Sequence, residues 1–410
     1  MQYQQRTLLL RVIIIAAVCL IGVGSVGAYA ETEPDQNSFD VLVQEAQGGR
    51  LSAIRKFLDN LTPYVELKTT INDNIFLTTE DIEGDFVTEI SPGVRYGDLS
   101  SQKKTNIFVD TGILVKQYAE HDEHNVENPY FSFLVSHGLG MFALTLDYRF
   151  IKEQATLTDL SLTTDEGFVD YLEHYPKLSL DVNWNRFRWE MAYLHRDKAY
   201  EEGDFRTTHS YKADTVSFTG SLRIASKTYA FLEYDHEWKD FYKGGSVDRD
   251  RDEYWIGVRG DIFSKIKGLI KFGYEEGHYP EEHVSSNAVN INLDYLLSRR
   301  FILNVNAEQG VGASSISTDE LDSYSNFGFG FRYFPPFNRK LKLISNVSFN
   351  FDEYESGRQD KQYNILLSSE YTLTKQLKII GNYEFEKIGS DSTLAEHDNN
   401  IVSLKLSMDF

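Results

Sequence analysis

The chain has 410 residues, with 41 Lys and Arg against 62 Asp and Glu and a formal net charge of −21. This acidic balance argues against nucleic acid as a partner, because proteins that bind nucleic acid present basic surfaces. The 25 Tyr and 27 Phe exclude an intrinsically disordered chain.

The first 30 residues have the pattern of a secretory signal peptide. Arg6 and Arg11 precede an apolar run over residues 12–27, and an A-x-A cleavage site follows at residues 28–30. We therefore predict cleavage near Ala30; a short buried helix or an uncleaved anchor is the alternative. The only cysteine, Cys19, lies in this run, so the predicted mature chain has no disulfide and no thiol chemistry.

Residues 31–61 have the pattern of a short helical segment. Leu51, Ile54, Leu58 and Leu61 are spaced three and four residues apart, which places them on one face of a helix. We predict that this periplasmic segment packs on the rim of the domain that follows. Plugging a pore, or docking a periplasmic export partner, are the alternatives.

Residues 62–410 alternate between apolar and polar with a period of two, which is typical of strands with two different faces. The last ten residues show it most clearly, because Val402, Leu404, Leu406, Met408 and Phe410 alternate with polar positions. Charges recur on the polar side in the middle of many strands, which the core of a soluble sandwich would not tolerate. The sequence therefore predicts an all-β, transmembrane, antiparallel up-and-down β-barrel, with lipid outside and water inside.

We predict about 18 strands, with 16 as the alternative if one hairpin is misassigned. The predicted strands are 62–73, 85–97, 104–118, 128–138, 141–152, 170–184, 186–197, 210–225, 228–239, 251–262, 266–277, 284–297, 300–312, 322–334, 340–352, 361–373, 376–388 and 399–410. An even number places both barrel ends on the periplasmic side. The terminal Phe410 resembles the signal by which the barrel-insertion machinery recognises outer-membrane barrels; an edge strand of a soluble sheet is the alternative.

The predicted connections differ in charge. The short ones carry mainly Lys and Arg, whereas the long ones carry clusters of Asp and Glu. Short turns face the periplasm and long loops face outward in this class of barrel, so the acidic loops are expected outside the cell. Divalent cations would then bridge them to lipopolysaccharide in the outer-membrane lipid, although simple solvation of the charges is an equal alternative.

The first predicted hairpin carries a family resemblance. Residues 63–65 (PYV), 71–78 (INDNIFLT) and 85–94 (DFVTEISPGV) are similar to the opening of a family of outer-membrane β-barrel porins often encoded beside exopolysaccharide genes in Gram-negative bacteria. The resemblance covers residues 62–97 and implies an outer-membrane location and, more loosely, a part in polysaccharide export or surface assembly. Asp73 and Asn74 suit the top of a hairpin, and Pro92 within the second strand predicts a bulge or kink.

Strand parity predicts which charged side chains line the lumen. The predicted inward bases are Arg95, Arg186, Arg188, Arg223, Arg259, Lys267, Lys271, Arg332, Lys342 and Lys405, and the predicted inward acids are Asp147, Glu190, Glu233, Asp235, Glu237, Glu308, Glu384 and Glu386. Most of the bases lie nearer the periplasm and most of the acids nearer the outside. We predict an axial charge gradient that collects anionic or polyhydroxylated chains; mutual pairing of these charges is the alternative.

These patterns favour a non-enzymatic outer-membrane channel for a hydrophilic solute, with an exopolysaccharide during export as the narrower expectation. No catalytic, metal or cofactor-binding residue is predicted, because the one G-x-G-x-x-G pattern lies in the signal peptide. A barrel enzyme, such as a lipid hydrolase or a protease, is an alternative that needs Ser, His and an acid from different strands. A structural or assembly barrel that binds a periplasmic partner through residues 31–61 is another.

Overall fold

The structure, a computed structural model, describes residues 60–97, 104–157, 167–201, 205–242, 248–278, 283–311, 321–354, 357–392 and 396–410. Nearly all of them belong to β-strands. The strands are β1 (Leu61–Asn72), β2 (Asp85–Tyr96), β3 (Thr105–Tyr118), β4 (Val126–Leu139), β5 (Phe142–Thr156), β6 (Phe168–Trp184), β7 (Phe187–Tyr200), β8 (Tyr211–Ala225), β9 (Thr228–Phe241), β10 (Arg249–Phe263), β11 (Ile266–His278), β12 (His283–Ser298), β13 (Phe301–Gly310), β14 (Leu321–Tyr333), β15 (Leu341–Tyr354), β16 (Gln359–Thr372), β17 (Leu377–Ser390) and β18 (His397–Asp409).

Each strand pairs antiparallel with the next one in the chain, and β18 pairs with β1, so the 18-stranded sheet closes on itself. The predicted up-and-down barrel is therefore confirmed, with the larger of the two predicted strand numbers. Between strands, the described residues add a 3₁₀ turn (Asp122–His124) and one helical turn, α1 (Phe205–Thr208). No helix among the described residues is long and apolar enough to cross a membrane.

Residues 1–59 lie outside the described part of the chain. The predicted signal peptide and almost all of the predicted helical segment 31–61 fall there. Leu61, which the helical pattern included, is instead the first residue of β1. The barrel thus begins one residue before the predicted boundary.

The two ends of the barrel differ in their connections. One end, here called the turn end, carries both ends of the barrel chain and short connections such as Gly140–Met141 and Asn185–Arg186. Asn185 adopts a φ of 56°, a left-handed conformation that Asn tolerates better than most residues and that suits a two-residue hairpin turn. The other end, the loop end, carries the longer connections.

The top of the first hairpin is held by its own side chains, as predicted. Asn74 is buried, and its side-chain amide donates 2.9 Å to the carbonyl of Thr78 while its oxygen accepts from the Thr78 N–H at 3.0 Å. The same amide reaches the carbonyl of Asp398, and Asp73 accepts from the backbone N–H of Asn400 at 2.6 Å. The β1–β2 loop therefore also stabilises the seam, which is the pairing of β1 with β18 that closes the barrel.

Of the bulge or kink predicted at Pro92, the β2–β3 register contradicts the bulge; the kink stays a prediction. The β2–β3 register is unchanged on both sides of this residue, from Ile90↔Val115 to Gly93↔Gly112, although the pairing is interrupted between them. Proline lacks the N–H that a ladder needs, so the strand loses hydrogen bonds there without gaining a residue. Pro176 interrupts the β6–β7 ladder in the same way.

Candidate functional site

Charged and polar side chains occupy the concave face of the sheet. Arg259 on β10 bonds Glu190 on β7, and Tyr64 on β1 bonds Tyr130 on β4. These strands are not neighbours in the sheet. Side chains can meet over intervening strands only where the sheet curves toward them, so this face is the inside of the barrel.

The opposite face is apolar and points outward. Its large exposed side chains include Leu146, Met191, Leu232, Phe272 and Leu404. Each of these residues is next in sequence to a residue of the polar face, because side chains alternate along a strand. The barrel therefore combines a polar lumen with an outer surface suited to lipid.

By register, the predicted inward residues that lie in strands share the lumen face, and most of the predicted bases are ion-paired there. We call these ion pairs the paired network: Arg95 with Asp110 and Asp409 (3.3 and 3.4 Å), Arg188 with Asp181 and Glu190 (both 2.7 Å), Arg259 with Glu190, Lys267 with Asp261 (3.6 Å), Lys271 with Glu233 (2.8 Å), Arg332 with Asp294, Lys342 with Glu370 (3.0 Å) and Lys405 with Glu66 (2.7 Å). The predicted basic zone is thus interleaved with acids. As a determinant of selectivity, the axial gradient stays a prediction.

Two predicted bases lie at the turn end itself. Arg186 is exposed in the turn after β6, and Arg223 donates 3.3 Å to the carbonyl of Asn185 in that turn. They border the lumen entrance rather than its wall.

Some of the remaining predicted acids contact a base or an amide side chain, and others do not lie opposite a base. Glu237 faces Arg249 at 3.6 Å, Glu386 bonds Gln362, and Glu308 accepts from Asn290 at 3.1 Å. Asp147 pairs with Arg149 at 3.5 Å, whereas Glu384 is exposed and Asp235 lies opposite Ser217 and Glu253 in the register.

The sequence prediction missed a group of bases on the lumen face near the loop end. We call Arg196, Lys198, Lys239, Arg249 and Arg251 the cation cluster; they lie on β7, β9 and β10 and share the parity of Glu190 and Glu233. Lys198 and Arg249 were missed because they lie beyond the predicted ends of their strands, and extending the same parity by a few residues would have found them. Arg196, Lys239 and Arg251 lie inside the predicted strands, where the same parity already places them on the lumen face.

The C-terminal Phe410 is exposed on the outside of the seam, and its N–H donates 2.8 Å to the carbonyl of Pro63. Its predicted role as an insertion signal stays a prediction.

The loop that joins β1 to β2 folds toward the lumen. Ile75 and Phe76 are buried against Val87 and Tyr118, and register places both of these strand residues on the lumen face. A second buried cluster, formed by Val169, Tyr171 and Tyr200, packs against Phe205 of α1. Both clusters narrow the loop end of the barrel on the side of β2–β8.

His121 holds the first of these loops in place. Its Nδ1 lies 2.9 Å from Asp85, and its Nε2 contacts Glu83 in the β1–β2 loop. Asp85 also accepts hydrogen bonds from the backbone N–H groups of Ala119 and His121, at 2.9 and 3.1 Å. Burial alone would lower the pKa of His121, but the hydrogen bonds to Asp85 and Glu83 outweigh it and raise the pKa above its ordinary value.

Comparison with known proteins gives a match by structure and not by sequence. No protein-family model matches the chain, and no curated protein matches it in sequence. OccK2 (OpdF) of Pseudomonas aeruginosa matches with a TM-score of 0.52 at 9% identity, over 86% of this chain and 99% of that one. The same protein in complex with glucuronate matches at 0.52 and 8%, with the same coverage.

A BenF-like porin from Pseudomonas fluorescens Pf-5 has a TM-score of 0.49 at 8% identity, over 86% of this chain and 100% of that one. These two neighbours are outer-membrane porins. At this level of identity, the likeness concerns the fold alone. The chain thus has the fold of an outer-membrane porin, a closed antiparallel barrel of 18 strands.

Proposed function

We propose that the protein is an outer-membrane channel that passes a hydrophilic solute through the barrel lumen. The observation that carries the proposal is the contrast between the two faces of the sheet. Ion pairs between non-adjacent strands, such as Arg259–Glu190, lie inside, and exposed apolar side chains, such as Leu232 and Phe272, lie outside. A wall of this kind presents water-compatible groups to a solute and hydrocarbon to lipid.

The proposal includes the location and orientation of the barrel. Export through the inner membrane would use the signal peptide, with cleavage near Ala30, and the insertion machinery would recognise Phe410. The turn end would face the periplasm, because short turns do so in this class. Residues 31–61 would then lie on the side where a periplasmic export partner could bind.

Exopolysaccharide export is a narrower form of this proposal. It rests on the resemblance of residues 62–97 to porins encoded beside exopolysaccharide genes. Neither the paired network nor the outer face distinguishes a polysaccharide from a smaller hydrophilic solute.

Conductance in a planar bilayer tests the proposed function. We expect stepwise currents from the refolded mature protein, because charged and polar side chains occupy the lumen face. A variant that lacks residues 31–59 serves as the matched control and separates pore formation from any role of the N-terminal segment. Protein that inserts and keeps the compact gel mobility of a folded barrel, yet passes no ions, would contradict the proposal.

A further inference from the structure

The cation cluster places like charges side by side on the lumen wall. Lys239 on β9 lies directly opposite Arg249 on β10. On its other side, Lys239 lies opposite the small, buried Ala213, and Arg196 lies beyond Ala213 on β7. Like charges that face each other across strands destabilise a sheet. Such an arrangement is expected where an external anion completes the charge balance.

Two lysines of the cluster contact aromatic rings instead of carboxylates. The Nζ of Lys239 lies 4.1 Å from the ring centre of Tyr211, and the Nζ of Lys198 lies 3.9 Å from that of Tyr171. Within the described part of the chain, neither lysine forms a salt bridge. The rings hold the ammonium groups in place by cation–π contact but do not neutralise them.

The three arginines of the cluster are only partly satisfied. Arg196 pairs with Glu173 at 2.5 Å, and Arg249 reaches Glu237 at 3.6 Å. Arg251 pairs with Glu253 and also reaches Glu275 at 3.6 Å. The Nε atoms of Arg249 and Arg251 are buried and have no hydrogen-bond partner among the described residues. Buried donors are nearly always paired in folded proteins, so these two guanidinium groups keep one unsatisfied donor each among the described residues.

We propose that the cation cluster is a binding site for a small dicarboxylate. Two ammonium groups that have no acidic partner among the described residues call for two negative charges. Tyr211, which lies opposite Lys198 in the register and under Lys239, stands between them. The two negative groups therefore belong to one solute with separated carboxylates rather than to one compact anion. The inference rests on the proposed function only in that the lumen must admit a solute.

Calorimetric titration of the detergent-solubilised mature protein tests this site directly. Succinate is the probe, its neutral diamide is the uncharged comparison, and hydrogen phosphate is the compact dianion. We expect succinate to bind and the diamide not to bind. Replacing both lysines, Lys198→Gln with Lys239→Gln, should weaken succinate at least about tenfold, because charge-assisted hydrogen bonds are lost.

Lys212→Gln is the matched control, since Lys212 lies next to Tyr211 on β8 but on the outward face. It removes one positive charge at the same level of the barrel, whereas the double variant removes two, and it should leave succinate binding unchanged. Compact gel mobility of each variant shows that it has folded. Equal affinity in the double variant and the wild type, or tighter binding of phosphate than of succinate, would overturn the proposal. A barrel that binds succinate but conducts no ions would contradict the proposed channel function and would still support this binding site.

Discussion

The paired network and the cation cluster share one lumen face but are built differently. In the paired network, each base has an acid on the same, the adjacent or a nearby strand, such as Lys271 with Glu233 at 2.8 Å. In the cation cluster, Lys239 has Arg249 opposite it and an aromatic ring beneath it. In the paired network the charges are neutralised by other side chains of the wall. In the cation cluster some positive charge remains available to bind an anion.

This difference separates stability from recognition. A charge that is paired and half-buried is costly to expose alone, so the paired network is expected to stiffen the wall. A cation without an acidic partner contributes little to folding and keeps its capacity to bind an anion. The two parts of the wall should therefore respond differently to the same substitution.

The largest expected effect comes from removing one partner of the paired network. Lys271→Met leaves the Glu233 carboxylate unpaired and removes the contact of the ammonium with the Trp255 ring, at 4.0 Å. We expect a loss of about 3 kcal/mol in the free energy of unfolding, measured by urea titration in lipid vesicles. Lys267→Met, on the same strand, removes an exposed pair and should cost less than about 0.5 kcal/mol.

The matched change in the cation cluster is Lys239→Met. It removes a like-charge neighbour of Arg249 and leaves no carboxylate unpaired, so the free energy of unfolding should stay within about 0.5 kcal/mol of the wild type. A loss as large as that of Lys271→Met would show that the two parts of the wall are equivalent, and the comparison would fail.

The smallest expected effect concerns the loop end, where His121 bridges Glu83 and Asp85. Because the pKa of His121 is raised in the fold, its stabilising effect is fully present below the unfolded pKa, about 6.5, and is lost as the pH rises through the folded value. Amide hydrogen exchange becomes faster with pH in any peptide. In the β1–β2 loop we expect the exchange rate to rise more steeply than this intrinsic increase over that pH range. His121→Gln should remove this excess; an identical profile in the variant would contradict the role of His121.

The sequence predicted the architecture well where both faces of a strand are constrained. From β14 to β18, apolar positions such as Phe329 and Leu404 alternate with polar ones along most of each strand, and the predicted boundaries lie within a few residues of the observed ones. Near the loop end, outward positions become polar as well. Asp214 bonds His195, and Asp252 bonds His236, on the outward face.

The alternation of apolar and polar residues therefore fades near the loop end, and the ends of the strands cannot be located from it. This is why Lys198 and Arg249 fell outside the predicted strands. Mutual pairing of the lumen charges was an alternative that the sequence offered, but the identity of the partners was beyond it, because contacts such as Arg259–Glu190 join strands that are not neighbours. Parity gives the face of a residue but not its partner.

The central claim is that the two faces of one closed sheet meet water and lipid respectively. Single cysteines can test it without interference, because the only native cysteine, Cys19, lies in the predicted signal peptide. The most direct measurement labels Ser348→Cys and Val347→Cys on β15, and Ser217→Cys and Phe218→Cys on β8, in the intact membrane with a charged, water-soluble thiol reagent. We expect the lumen-face positions Ser348 and Ser217 to react and the outward positions Val347 and Phe218 to stay unreactive; equal labelling at all four positions, or the reverse pattern, would contradict the account.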